Sequence, residues 1–165
     1  MGLHFSKEEF ESRKSKTLKS MKEQNIDALL MFKQESMYWL TGYDTFGYVF
    51  FQTLVLDQKG NIVLLTRAPD LRQAQNTSNI KNIKIWIDKE GSNPTDDLKI
   101  ILGELNLKDK KLGIEYDAYG LTGQNTLRLN KSLKDYCSTE DTSNLITKLR
   151  VVKSKEEIVY VRKAA

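Results

Sequence analysis

The chain is poor in the residues that most often carry chemistry, with one histidine and one cysteine among 165 residues. The histidine, His4, precedes the first helix signal in a stretch expected to be mobile. A histidine-based triad, a histidine-ligated zinc or a histidine general base inside the folded body is thereby excluded. Cys137 can form no internal disulfide and has no Cys or His near it in sequence to build a metal cluster, so it reads as a small, half-buried strand residue. Glycine-rich phosphate loops are missing too: Gly42 and Gly47 bracket Tyr43 to Phe46, with no Lys-Ser/Thr following. Apolar runs stop at about six residues, too short to span a bilayer, and the amino terminus lacks the apolar core of a signal peptide. These absences lead to the expectation of a cytoplasmic protein with no membrane partner. Gly2 and Ser6 formally fit a myristoylation template, but Ser6 is better used with Glu9 as a capping box that opens a helix.

What the chain has is charge, 26 Lys+Arg against 22 Asp+Glu. Lys148, Arg150, Lys153, Lys155, Arg162 and Lys163, set against Glu156 and Glu157, account for the whole net charge of +4. The first 147 residues are therefore neutral, which does not suit a groove that follows phosphates, and no nucleic-acid partner is expected. At 39% apolar and 29% charged the composition is that of a soluble globular domain, long enough to bury roughly 70% of its unfolded surface.

Helical and strand signals alternate along the chain. Ser6 caps a first helix with Phe10, Thr17, Leu18 and Met21 on one face; the remainder, Lys and Glu, is expected to be a solvated face, and Asn25 closes the helix. Ile26 to Phe32 is a short apolar run expected to be a strand covered on both faces. A short helix follows over Gln34 to Leu40, ending at Gly42. Tyr48 to Leu56 and Asn61 to Thr66, joined by Asp57-Gln58-Lys59-Gly60, predict a hairpin. A helix from Pro69, a strand over Ile83 to Ile87, and a helix opened by Asn93, Pro94, Asp96 and Asp97 come next. Lys111 to Glu115 is then a strand, Leu121 to Leu133 a helix and Asp135 to Ser138 a last short strand. Strands separated by helices, with one antiparallel hairpin, imply an α/β fold: a mixed β-sheet with helices on both faces.

Two regions stand out. Met37 to Phe51 crowds aromatics, two glycines and Asp44 between a helix and a strand. Such a segment is either a core corner, with aromatics filling volume and glycines permitting tight turns, or an aromatic recognition surface with Asp44 as its polar anchor. Near the carboxyl end Ser154 and Glu157 form a second capping box, followed by Ile158, Val161 and Ala165 on one helical face.

With these segments in this order, the sequence resembles the amino-terminal domain of the creatinase, prolidase and aminopeptidase P family of pita-bread metallohydrolases. Three pieces carry the resemblance: Ile26 to Leu30 after the opening helix, Tyr38 to Tyr43, and the junction Leu149 to Ser154 leading into Glu157-Ile158 and Arg162-Lys163-Ala164. It implies a ribonuclease H-like fold, a domain over 1–147, and a junction over 148–165 that begins a carboxyl-terminal catalytic domain. It also implies that this chain is a non-catalytic part of an Xaa-Pro dipeptidase-like hydrolase, with no catalytic residue and no metal of its own. A divalent metal pair (Mn, Co or Zn) is expected in the catalytic domain, which would be this domain's partner within a homodimer. By the same resemblance the loop carrying Tyr43, Asp44, Phe46 and Tyr48 approaches the substrate entrance of the neighbouring subunit. Tyr48 stands where creatinase-like members need an arginine, a departure from creatine specificity because tyrosine offers one neutral hydrogen bond instead of a bidentate fork. Xaa-Pro peptides and cyclic amidines remain open as substrates, and so does a non-enzymatic interaction module.

Overall fold

The apolar run after the first helix alternates between two cores, as a strand with a side-chain period of two must. The computed structural model describes residues 3–165, so Gly2, and with it the myristoylation template, lies outside the described residues. Strand β1 (Ala28–Met31) sends Ala28 and Leu30 to one side and Leu29 and Met31 to the other, and all four are fully buried. The first core is closed by helices α4 (Pro94–Glu104) and α5 (Gly123–Leu133), through Leu98, Leu102 and Leu129. The second is closed by α1 (Lys7–Glu23), α2 (Gln34–Thr41), α3 (Leu71–Thr77) and α6 (Leu145–Val151), through Met21, Met37, Ala74 and Ile146. Each buried Leu, Ile or Met among these contributes roughly 1.5–3 kcal/mol relative to exposure.

The remaining strands are β2 (Thr53–Asp57), β3 (Ile62–Arg67), β4 (Asn82–Trp86), β5 (Lys111–Ile114) and β6 (Ser138–Asp141), and the sheet order is β4-β3-β2-β1-β5-β6. Only β2 runs against its neighbours, while the β1/β5, β3/β4 and β5/β6 pairs are parallel. The mixed α/β sheet expected from the sequence is therefore present. The predicted hairpin is β2–β3, paired Leu56 to Ile62, and its turn is clipped by Asp57, whose carboxylate accepts from Lys59 N, Asn61 N and Asn61 Nδ2 at 2.7–2.9 Å.

Four local expectations need correction. The hairpin's first strand starts at Thr53; Phe46–Val49 upstream is a 3-10 turn, capped by Thr45, that keeps Tyr48, Val49 and Phe50 out of the ladder. The last strand is Ser138–Asp141, because Asp135 takes a left-handed conformation (φ 58°) that turns the chain after α5, and the apolar Tyr136-Cys137 pair packs beside the core before the strand begins. Arg13 on α1 belongs to no solvated face: it is 1% exposed. His4 is held against the body, its Nδ1 lying 2.7 Å from the Tyr38 hydroxyl.

The capping box at the junction forms as predicted. Ser154 accepts from Glu157 N at 3.2 Å and Glu157 from Ser154 N at 2.8 Å, opening helix α7 (Lys155–Ala164). At α1 only half of the box forms: Ser6 accepts from Glu9 N, while the Glu9 carboxylate turns to Arg13 at 2.8 Å.

Candidate functional site

Helix α2 ends at Gly42, whose left-handed conformation (φ 80°) suits glycine at a C-cap and redirects the chain into the aromatic loop. The four residues singled out from sequence then divide. Tyr43 is wholly buried, its hydroxyl donating to Gln52 Oε1 at 2.9 Å, and burial raises its pKa above the usual tyrosine value. It is a core residue and does not reach the surface. Asp44, Phe46 and Tyr48 point the other way, with Phe46 86% exposed and Tyr48 40%. The core-corner reading of the segment holds for Tyr43, while Asp44, Phe46 and Tyr48 lie at the surface.

A buried polar chain fixes the loop from beneath. Thr45 Oγ1 lies 2.9 Å from Asp70 Oδ1 and accepts from Gly47 N at 2.9 Å, while Asp70 pairs with Arg67 at 3.2 Å. The Arg67 guanidinium stacks 3.4 Å from the centre of the Phe50 ring. Gly47 is required here, since a Cβ would sit 2.6 Å from the Asp70 carboxyl carbon. On the far side Gly120 lets a second loop approach, for a Cβ there would come within 3.0 Å of Tyr48 O and collide with Phe50 O. Tyr119 thereby meets Tyr48 edge to face at 6.0 Å.

Beside this ridge a cleft of about 820 Å³ opens beyond the carboxyl ends of the parallel strands β1 and β5, lined by Phe32, Lys33, Tyr48, Tyr116, Tyr119 and Arg150 among others. Carboxyl ends of parallel strands are where sheets of this kind place their ligands. Beneath it lies a feature that motif reasoning missed, the fully buried Glu115. Its carboxylate accepts from Phe32 N at 3.1 Å, Lys33 N at 3.0 Å and Ser36 Oγ at 2.6 Å, tying the end of β5 to the start of α2. Burial pushes its pKa up to about 7, against the opposing pull of the Ser36 and Lys33 hydrogen bonds and the Lys33 charge. The Lys33 ammonium itself reaches away, to Asp117 Oδ2 at 3.2 Å and Ser143 O at 3.0 Å. A carboxylate ending a buried strand was the only signal in the sequence.

Among the described residues no group of three or more His, Cys, Asp or Glu side chains could hold a metal ion. The residues present thus do not fit a dinuclear centre. They form an aromatic ridge, a tyrosine-lined cleft and a rigid support, an arrangement that can bind a ligand and exclude water.

The model of the creatinase/prolidase N-terminal domain matches residues 13–152. The chain belongs to that family. The creatinase/prolidase domain is 29% identical, over 99% of its length, to 43% of the ectoine hydrolase of Halomonas elongata, and 28% identical, over 98%, to 43% of an uncharacterized hydrolase/peptidase of Sinorhizobium fredii. Its fold superimposes on the prolidase of Thermococcus sibiricus with a TM-score of 0.77 at 22% identity, covering 94% of this chain and 41% of that one. This domain therefore spans well under half the length of these relatives. Among the described residues no helix is long and apolar enough to cross a membrane.

Proposed function

We propose that this chain is the non-catalytic amino-terminal domain of an Xaa-Pro dipeptidase-like hydrolase, and that its aromatic loop shapes the active-site entrance of the partner subunit in a homodimer. The observation that carries this reading is the pairing of a rigidly supported, solvent-facing aromatic ridge with a helix whose apolar side chains stay largely exposed. In α7 the consecutive residues Ile158, Val159, Tyr160 and Val161 are 37–53% exposed, and Val151 and Val152 just before it are 65% and 81% exposed. An exposed apolar patch of this kind marks a surface that a partner covers. The body that would cover it is the catalytic domain, taking up the junction over 148–165, and the divalent metal pair (Mn, Co or Zn) would reside there. A cytoplasmic location goes with this reading.

The similarity to an ectoine hydrolase supports a second reading, in which the longer protein opens a cyclic amidine. Purified to homogeneity, the 165-residue chain should hydrolyse neither an Xaa-Pro dipeptide nor ectoine when manganese is added; metal-dependent turnover of either would refute the non-catalytic assignment. The longer protein, assayed on both substrates, separates the two readings.

A further inference from the structure

Helix α7 has ten residues, a length at which an isolated helix is marginal in water. Its apolar side chains are exposed, so something other than apolar burial must hold it in place. Three polar anchors do so. The Glu156 carboxylate takes Ser6 N at 3.0 Å and Ser6 Oγ at 2.6 Å. It occupies the amino end of α1, where the helix dipole favours an anion, and accepts the backbone N–H left open when Glu9 turns away. Glu157 accepts from the Trp39 indole Nε1 at 2.9 Å and lies 3.2 Å from Arg13 Nη2. Tyr160 donates to His4 O at 2.6 Å while its ring meets Phe5 edge to face at 5.2 Å.

Arg13 is where these contacts converge. Its guanidinium lies 4.0 Å from the centre of the Phe5 ring, with the Phe10 and Trp39 rings beyond, and it donates to Trp39 O and to Glu9 at 2.8 Å each. Nη2 is the one arm without a well-aligned hydrogen bond, so Glu157 holds it by charge. One buried cation thus joins α1, the carbonyl end of α2 and the first turn of α7. Helix α2 continues through Gly42 directly into the aromatic loop.

We propose that Arg13 is a positioning residue, the pivot of an ionic latch with Glu157 that fixes α7 on the domain. The latch would thereby set the angle at which the Phe46–Tyr48 ridge is presented to the catalytic part. The second half of this statement rests on the function proposed above; the first does not. Glu9 pairs with the Arg13 Nε whether or not α7 is docked, so losing Glu157 leaves buried Nη2 with no partner, a costlier loss than that of an exposed pair. Because the aromatic box belongs to the body and Glu157 to α7, the effect of removing the anion should fall on α7.

Hydrogen exchange on the 165-residue chain tests the latch. Wild-type α7 amides should be protected, and Glu157→Gln should speed their exchange about tenfold or more while the β1, β2 and β5 amides keep their rates. Arg13→Met should do the same; if that variant does not fold, Glu156→Gln, which removes a neighbouring anchor without touching the core, should give a smaller increase confined to α7. Unprotected α7 amides in the wild type, or unchanged rates in Glu157→Gln, would overturn the latch. In the longer protein Glu157→Gln should change KM more than kcat with metal content intact. Exchange effects without any hydrolase activity would leave the latch standing and remove the proposed function; activity with unchanged exchange would do the reverse.

Discussion

Glu115 should make this domain more stable in mild acid than in mild base. The carboxyl is wholly buried and has no cation aimed at it, so ionising it inside the protein is costly despite three hydrogen bonds to its oxygens. Its pKa stands at about 7 in the folded chain against an ordinary value of 4.5, a separation that amounts to about 3 kcal/mol. Because the folded state holds the proton more tightly, this contribution is fully present below the unfolded value and is lost as pH rises through about 7. Between pH values of about 5.5 and 8.5 the change is about 2 kcal/mol. Glu115→Gln keeps an acceptor for the Phe32 and Lys33 N–H groups and offers Ser36 Oγ a donor, but cannot ionise. Urea unfolding followed by the fluorescence of Trp39 and Trp86 at the two pH values measures the slope in each protein. The wild type should lose about 2 kcal/mol more than the variant on going to the higher pH. Equal slopes in the two proteins would show that Glu115 is not the group responsible and that the wrapping at the β1–β5 end is misread.

Two further outcomes follow from packing and burial. Gly47→Ala places a Cβ against the Asp70 carboxyl group and should destabilise the domain by about 1–3 kcal/mol, read as a lower unfolding midpoint with unchanged denaturant slope. No loss would mean that the loop is not seated as described. Burial pushes the Cys137 thiol up to about 11 against the pull of Lys99. Alkylation of the folded chain at neutral pH should therefore run well below the rate of the unfolded chain, and equal rates would contradict the packing of Cys137 beside the core.

Much of this architecture was legible because it is written locally. The Ile26–Phe32 run, the Asp57–Gly60 turn and the Ser154–Glu157 box each depend on residues within a few positions of one another, and each formed as the sequence implied. What escaped depends on distant partners. Arg13 looked like one more cation on a Lys- and Glu-rich helix, and only the arrival of Phe5, Trp39 and Glu157 makes it a core residue. The Ser6–Glu9 box was half right for the same reason, since a carboxylate 150 residues away supplies the other half. Strand β6, Ser-Thr-Glu-Asp and exposed throughout, carries no apolar alternation, and the nearby Tyr136 and Cys137 drew the expectation upstream. In the aromatic loop composition announced an unusual segment but could not separate Tyr43, which turns inward to Gln52, from Phe46 and Tyr48, which do not.

On the function proposed above, Phe46 and Tyr48 face the substrate path of a hydrolase whose chemistry lies outside this domain. Steady-state kinetics of Phe46→Ala and Tyr48→Ala in the longer protein, with metal content determined in parallel, tests it most directly. The account predicts that kcat/KM for an Xaa-Pro dipeptide, or for the cyclic amidine if that is the substrate, falls while bound metal stays at the wild-type level. Kinetic constants unchanged in both variants would contradict it.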